Sequence, residues 1–216
     1  KQLKDAAHTI HAMSSHPEFK EHFDNGDTFE HAGRHYFNLS PTYSAEYGEK
    51  GPGALAGTSK ADVIGIRKKK RGGGPEDHTG MKLLSLKQAG GSQLSSSSPA
   101  EFAGMYKHVF NKMLENGDID KRAHKQAHAQ VNQIKDLLAT GDTKDISTAD
   151  NLIKQLHTQH DNNLRTRTGG QEGQNPFTRR INREAITGEG KFDDNNYQGR
   201  ATHIATIGKD AHVYSV

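Results

Sequence analysis

Two stretches decide how this chain is read: Ile10–Asp27, IHAMSSHPEFKEHFDNGD, and Arg34–Gly48, RHYFNLSPTYSAEYG. The segment around Thr9–Ala12 is expected to present His11 at the end of a strand, with Ser14 and Ser15 opening the next helix. Pro17 suits that helix's first turn and Gly26 its end. Phe29–Leu39 mixes aromatic and polar residues as an exposed edge strand does, and Ser40-Pro41 starts a second helix that stops at Gly48. Tyr36 then lies on a strand, and Tyr47, eleven residues on, in the last turn of the helix behind it. Two aromatic faces brought near each other form a slot for a flat heteroaromatic ring, with His11 available to hydrogen-bond a ribose or an amide, and no metal is required.

Working outward, Ala61–Arg67, ADVIGIR, reads as a strand, and Met81–Lys87, MKLLSLK, as a second one pairing with it. Between them Arg67, Lys68, Lys69, Lys70 and Arg71 form an unbroken basic run followed by three glycines. Such a run could contact an acidic partner surface. No aromatic residues interleave it, so it reads as a solvated strand end and hairpin loop rather than a nucleic-acid site. GGSQLSSSS, after it, is a linker by composition.

From Ser98 the periodicity becomes helical. Phe102, Met105, Tyr106, Val109, Phe110, Met113 and Leu114 fall on one face, with Pro99 opening the helix and Gly117 closing it. A second helix is expected over Lys121–Ala139 with Gly141 after it, and a third following Ser147-Thr148 and using Leu152, Ile153 and Leu156. Arg165–Asn175 is polar and glycine-rich and is expected as a loop.

The chain's 216 residues suit a single domain, 1–216, carrying a helical insertion at about 98–165. Only 31% of residues are hydrophobic and the mean hydropathy is −0.91, so part of the chain is expected in solvent-facing loops. The absence of cysteine excludes disulfides and a thiol nucleophile. No apolar run approaches the roughly eighteen residues of a membrane span. The chain starts without Met or an apolar leader and reads as a soluble fragment or processed form.

Fourteen histidines raise the question of a metal. His31 and His35, His124 and His128, and His157 and His160 are spaced to share a face, but no HExxH is present and Ala127 and Ala129 beside the helical pair offer no carboxylate. Structural or solvated histidine is the reading taken, and no metal is assigned. GPGALAGTSK lacks the order that places a lysine at phosphates, and NPFTRRINR lacks the histidine of an adenylyl-transfer loop.

The His11, Tyr36 and Tyr47 pattern resembles the NAD-binding half of the ADP-ribosyltransferases of the diphtheria toxin and poly(ADP-ribose) polymerase group, over roughly the first third of the chain. The resemblance implies an α+β fold with a split antiparallel sheet, here carrying the helical insertion. It implies NAD as cofactor, held by His11, Tyr36, Tyr47 and Ser40, the last standing with Ser44 where Phe37 replaces the family's serine. It also implies a catalytic Glu on a late strand, for which Glu184 in RINREAITGEGKF is the candidate and Glu189 the second. The function so implied is mono-ADP-ribosyl transfer to a protein target by a toxin or effector secreted from a bacterium and acting in a target-cell cytosol. The family's Gly-Thr after the histidine is Ala12-Met13 here. That departure keeps open a non-catalytic protein-interaction module on a degenerate transferase fold. A third reading, a phosphate or nucleotide enzyme acting on RNA, requires basic residues converging on a cleft at His11.

Overall fold

The computed structural model describes residues 2–34, 36–47, 56–66, 82–88, 98–168, 176–192, 199–207 and 211–216. By contacts the chain divides into two compact units, Lys1–Asn38 with Ala56–Leu94 and Ile186–Val216, and Leu39–Leu55 with Ser95–Ala185.

The first unit opens with two helices, α1 (Gln2–Ser15) and α2 (Pro17–Asp24). His11 therefore lies on a helix and not at the end of a strand. The β-branched pair Thr9-Ile10 suits a strand, but burial follows the helical period: Thr9 and Met13, four apart, are buried, while Ile10 is 54% exposed. The α2 boundaries agree with the sequence. Pro17 takes the first helical position, and Gly26, at φ +66°, ends the element.

The five-stranded sheet comprises β1 (Thr28–His31), β4 (Val63–Ile66), β5 (Lys82–Gln88), β6 (His203–Ile207) and β7 (Val213–Ser215), in the order β1-β4-β5-β6-β7. The expected pairing of Ala61–Arg67 with Met81–Lys87 is present as antiparallel β4–β5, with Val63 opposite Leu84. β5 and β6 run parallel, Leu84 opposite His203, so the sheet is mixed rather than antiparallel. Parallel neighbours need a long crossover, and the chain between β5 and β6 carries the whole helical block. On β5, Leu83, Leu84 and Ser85 are all buried, as expected of a central strand covered on both faces. Met13, Phe19, Leu84 and Ala205 form the core, and Phe23, Phe29, Val63, Leu86 and Val213 pack against it.

Phe29–Leu39 does not form one strand. A 3-10 turn at Ala32–Arg34 interrupts it, and the chain resumes as β2 (Tyr36–Asn38), paired with β3 (Ala56–Thr58) in a separate two-stranded sheet. Ala32 is buried and its N–H donates to the Asp62 carbonyl. A Cβ at Gly33 would lie 2.6 Å from the His31 ring, so a larger residue there would displace that side chain.

The second unit consists of helices: α3 (Pro41–Tyr47), α4 (Pro99–Glu115), α5 (Lys121–Thr140), α6 (Thr143–Thr168) and α7 (Pro176–Thr187) up to Ala185. The start of α4 is as read: Ser98 Oγ accepts from the Glu101 N–H and Pro99 follows it. Asp120 caps α5, and Gly141 ends it at φ +71°. α6 begins at Thr143, earlier than expected, because Asp142 accepts from the Lys144 N–H. Thr148 instead bonds back to the Lys144 carbonyl inside the helix. Phe110 and Phe177 stack at 5.3 Å, and both are buried, as are Val109, Met113, Val131, Ile134 and Leu156.

Candidate functional site

In the first unit the junction between α1 and α2 is one residue long. His16 precedes Pro17, which favours extended backbone, and it adopts φ −78°, ψ 128°. Helix α1 ends there because Pro17 has no N–H to carry it on, and the Ser14 and Ser15 hydroxyls both donate to the His11 carbonyl at 2.9 Å. This break turns the His16 ring onto His203, 5.3 Å away at 84°.

A cleft of about 410 Å³ opens beside this junction. It is lined by His8, His11, Ala12, Ser15, His16 and Pro17 from the helices and by Ala211, His212 and Val213 from the approach to β7. Four imidazoles share it, and among the described residues no carboxylate, lysine or arginine lines it. His8 and His11 stand three apart on α1, which places them on one helix face.

Behind the cleft lies a hydrogen-bonded cluster. The Leu83 N–H donates to Thr202 Oγ1 at 2.9 Å, and that hydroxyl lies 2.8 Å from His203 Nδ1. His203 Nε2 faces Glu18 Oε2 at 3.4 Å. The Thr202 hydroxyl also donates to the Leu83 carbonyl at 3.2 Å, so the His203 ring stands between that hydroxyl and the Glu18 carboxylate. Burial holds the His203 imidazole below its ordinary value, against the pull of Glu18. Glu18 also accepts from Lys82 and from the Ser215 hydroxyl at 2.9 Å. The Lys82 bond, above all, brings its carboxyl down to about 2. Glu18 thus ties the first turn of α2 to β5, β6 and β7, fixing the wall that carries His16.

The residues singled out from the sequence fall as follows. His11 lines the cleft. Tyr36 is on β2 of the same unit, 67% exposed. Ser40 precedes α3 and accepts at its carbonyl from the Ser44 N–H, and Tyr47 ends α3, as expected. Ser40, Tyr47 and Glu184 belong to the second unit, His11 and Tyr36 to the first.

Glu184 is on α7, not on a strand. Phe177, Ile181, Glu184 and Ala185 are all buried at helical spacing, and the carboxylate tolerates that position because Tyr43 Oη donates to its Oε1 at 2.8 Å. Glu189 sits in the turn after α7, where its N–H donates to Thr187 Oγ1. The basic run Arg67–Arg71 lies outside the described residues, as does His35.

A second polar cluster lies in the helical unit. Glu46, on α3, is bonded by Lys107 and Lys135, the latter at 2.9 Å. Burial opposes ionisation of Glu46, but the two ammonium groups outweigh it and hold the carboxyl below the usual range. His124 and His128 have ring centroids 4.1 Å apart on α5, and His124 Nε2 is 2.8 Å from Asn111 Oδ1. Burial, with the neighbouring His124 and Lys107, pushes His128 down to about 4. Among the described residues no group of three or more His, Asp or Glu could hold a metal ion, and no helix is long and apolar enough to cross a membrane.

The sequence reading missed His8, His16 and His212 as partners of His11. His8-x-x-His11 carried the signal, but three-residue spacing brings side chains together only on a helix. No protein-family model, curated protein or solved structure matches this chain.

Proposed function

We propose that the chain is a nucleotide-binding protein and that its ligand, NAD⁺ on the family resemblance, docks at His11 in the histidine cleft of the first unit. The observation that carries this reading is the convergence of His8, His11, His16 and His212 on one cleft of about 410 Å³, within the size range of small-molecule sites. Imidazoles supply both donors and acceptors to ribose hydroxyls and phosphate oxygens. The apolar surface of Ala12, Pro17 and Val213 offers a floor for a base.

The proposal is binding rather than ADP-ribosyl transfer. A carboxylate that stabilises charge on a substrate ribose must reach it. Glu184 is 3% exposed and committed to the Tyr43 hydroxyl, which suits a structural role in the helical unit. Calorimetric titration of NAD⁺ into the full chain and into His11→Ala tests the reading. Saturable binding that weakens at least about tenfold in the variant supports it. Absence of heat at millimolar NAD⁺, or equal affinity in the two proteins, overturns it. A nicotinamide-release assay on the same samples tests turnover, and release abolished by Glu184→Gln would restore the transferase reading.

A further inference from the structure

Resting on that reading, we infer that the histidine cleft recognises the anionic phosphate part of its ligand, through imidazoles that take up protons as the anion binds. The inference follows from the residues that line the cleft. Among the described residues, its titratable lining side chains are His8, His11, His16 and His212, and Ser15 adds a hydroxyl. An anion meets four imidazoles there, each of which offers an N–H donor and becomes a cation with two on gaining a proton.

Among the described residues, most charges on the neighbouring elements are already paired. On α2, Glu18 is held by Lys82, Ser215 and His203, Lys20 pairs with Asp24 at 2.7 Å, and His22 faces Asp27 at 3.0 Å. Glu21 is the remaining carboxylate of α2, and α1 contributes Lys4 and Asp5, the latter three residues before His8. β6 adds His203, whose imidazole burial holds below its ordinary value, and β7 adds Tyr214. A negative ligand in the cleft would favour protonation of the imidazoles around it, and protonation would in turn tighten its hold.

Inorganic sulfate is the probe, because it remains a dianion from pH 5 to 8 and any pH dependence then belongs to the protein. Adenosine, which carries the base and ribose without phosphate, is the control. Titrations at pH 7.5 and 5.5 and constant ionic strength are followed by calorimetry and by the imidazole NMR signals. Proton uptake gives an imidazole a positive charge and a second N–H donor, so sulfate affinity is expected to rise at least about tenfold on going to pH 5.5. The rise is expected to vanish in His11→Gln/His212→Gln and to persist in His31→Gln, which changes a histidine outside the cleft. Backbone NMR spectra confirm that the variants fold. Sulfate affinity independent of pH, or a rise that survives the double substitution, overturns the inference. No sulfate binding at either pH, with NAD⁺ still bound in a His11-dependent way, overturns the inference and leaves the nucleotide reading standing. Sulfate binding without NAD⁺ binding does the reverse.

Discussion

Tyr43 donates its hydroxyl to Glu184 Oε1 at 2.8 Å in the interior of the helical unit, where the two residues are 1% and 3% exposed. The bond joins the short helix α3 to α7 across 141 residues of chain. Glu184→Gln retains an acceptor for the phenol and is expected to change the unfolding free energy by less than about 1 kcal/mol. Tyr43→Phe removes a donor from a buried carboxyl and is expected to cost about 1–3 kcal/mol. Urea unfolding of both variants checks the order, and a larger loss in Glu184→Gln would contradict the structural role.

Gly104 on α4 is the seat of the Tyr43 ring. A Cβ at this position would lie 2.6 Å from Tyr43 Cδ1 and 2.9 Å from Cε1 and Cγ, closer than side chains approach. Alanine normally favours a helix, yet Gly104→Ala is expected to destabilise by about 1–3 kcal/mol because the ring must move. In a double-mutant cycle with Tyr43→Ala the penalty should largely disappear, since the second substitution removes the obstacle.

The pH dependence of the helical unit is assigned to His128. Its folded-state value, about 4, lies below the ordinary 6.5, so the unfolded chain binds more protons between these limits. Stability is therefore complete above about pH 6.5 and falls as pH is lowered toward 4. Discounted for partial exposure, the loss is about 1–2 kcal/mol. Unfolding curves for His128→Gln should be flatter over that interval than those of the parent chain.

Glu18 gives the opposite case of a depressed carboxyl, held at about 2 against an ordinary 4.5. Its contribution is present above about pH 4.5 and lost as pH falls toward 2. With the Glu18 side chain 44% exposed, solvent screening limits the contribution to at most about 1 kcal/mol. Replacement by Gln should lower stability at pH 7 by that amount, with the difference closing near pH 2. The same substitution frees the first turn of α2 from Lys82 and Ser215, and is expected to weaken ligand binding at the adjacent cleft.

Where local signals agreed, the sequence was legible. Ser98-Pro99 with Glu101, Asp120, Gly141 and the apolar period of α4 and α5 set those helices to within a residue or two, because caps and periodicity act over a few positions. The β4–β5 pairing was legible for the same reason. The errors arose where tertiary contacts override local preference. Ile10 and Thr9 resemble strand residues, but Met13 and Thr9 are drawn to one buried helix face. Glu184 is expected on a late strand, but it is buried on α7, where Tyr43, far away in sequence, donates to it. The parallel β5–β6 pair and the approach of His212 to His8 and His11 join segments more than a hundred residues apart, and no short-range pattern announces them.

The most direct test of the histidine cleft as the binding site is an NMR titration of the full chain with NAD⁺, observing the imidazole resonances of all fourteen histidines. The account predicts saturable shifts at His8, His11, His16 and His212, with His31 and His124 unmoved. Saturable shifts confined to other histidines, or no shift at millimolar NAD⁺, would contradict it.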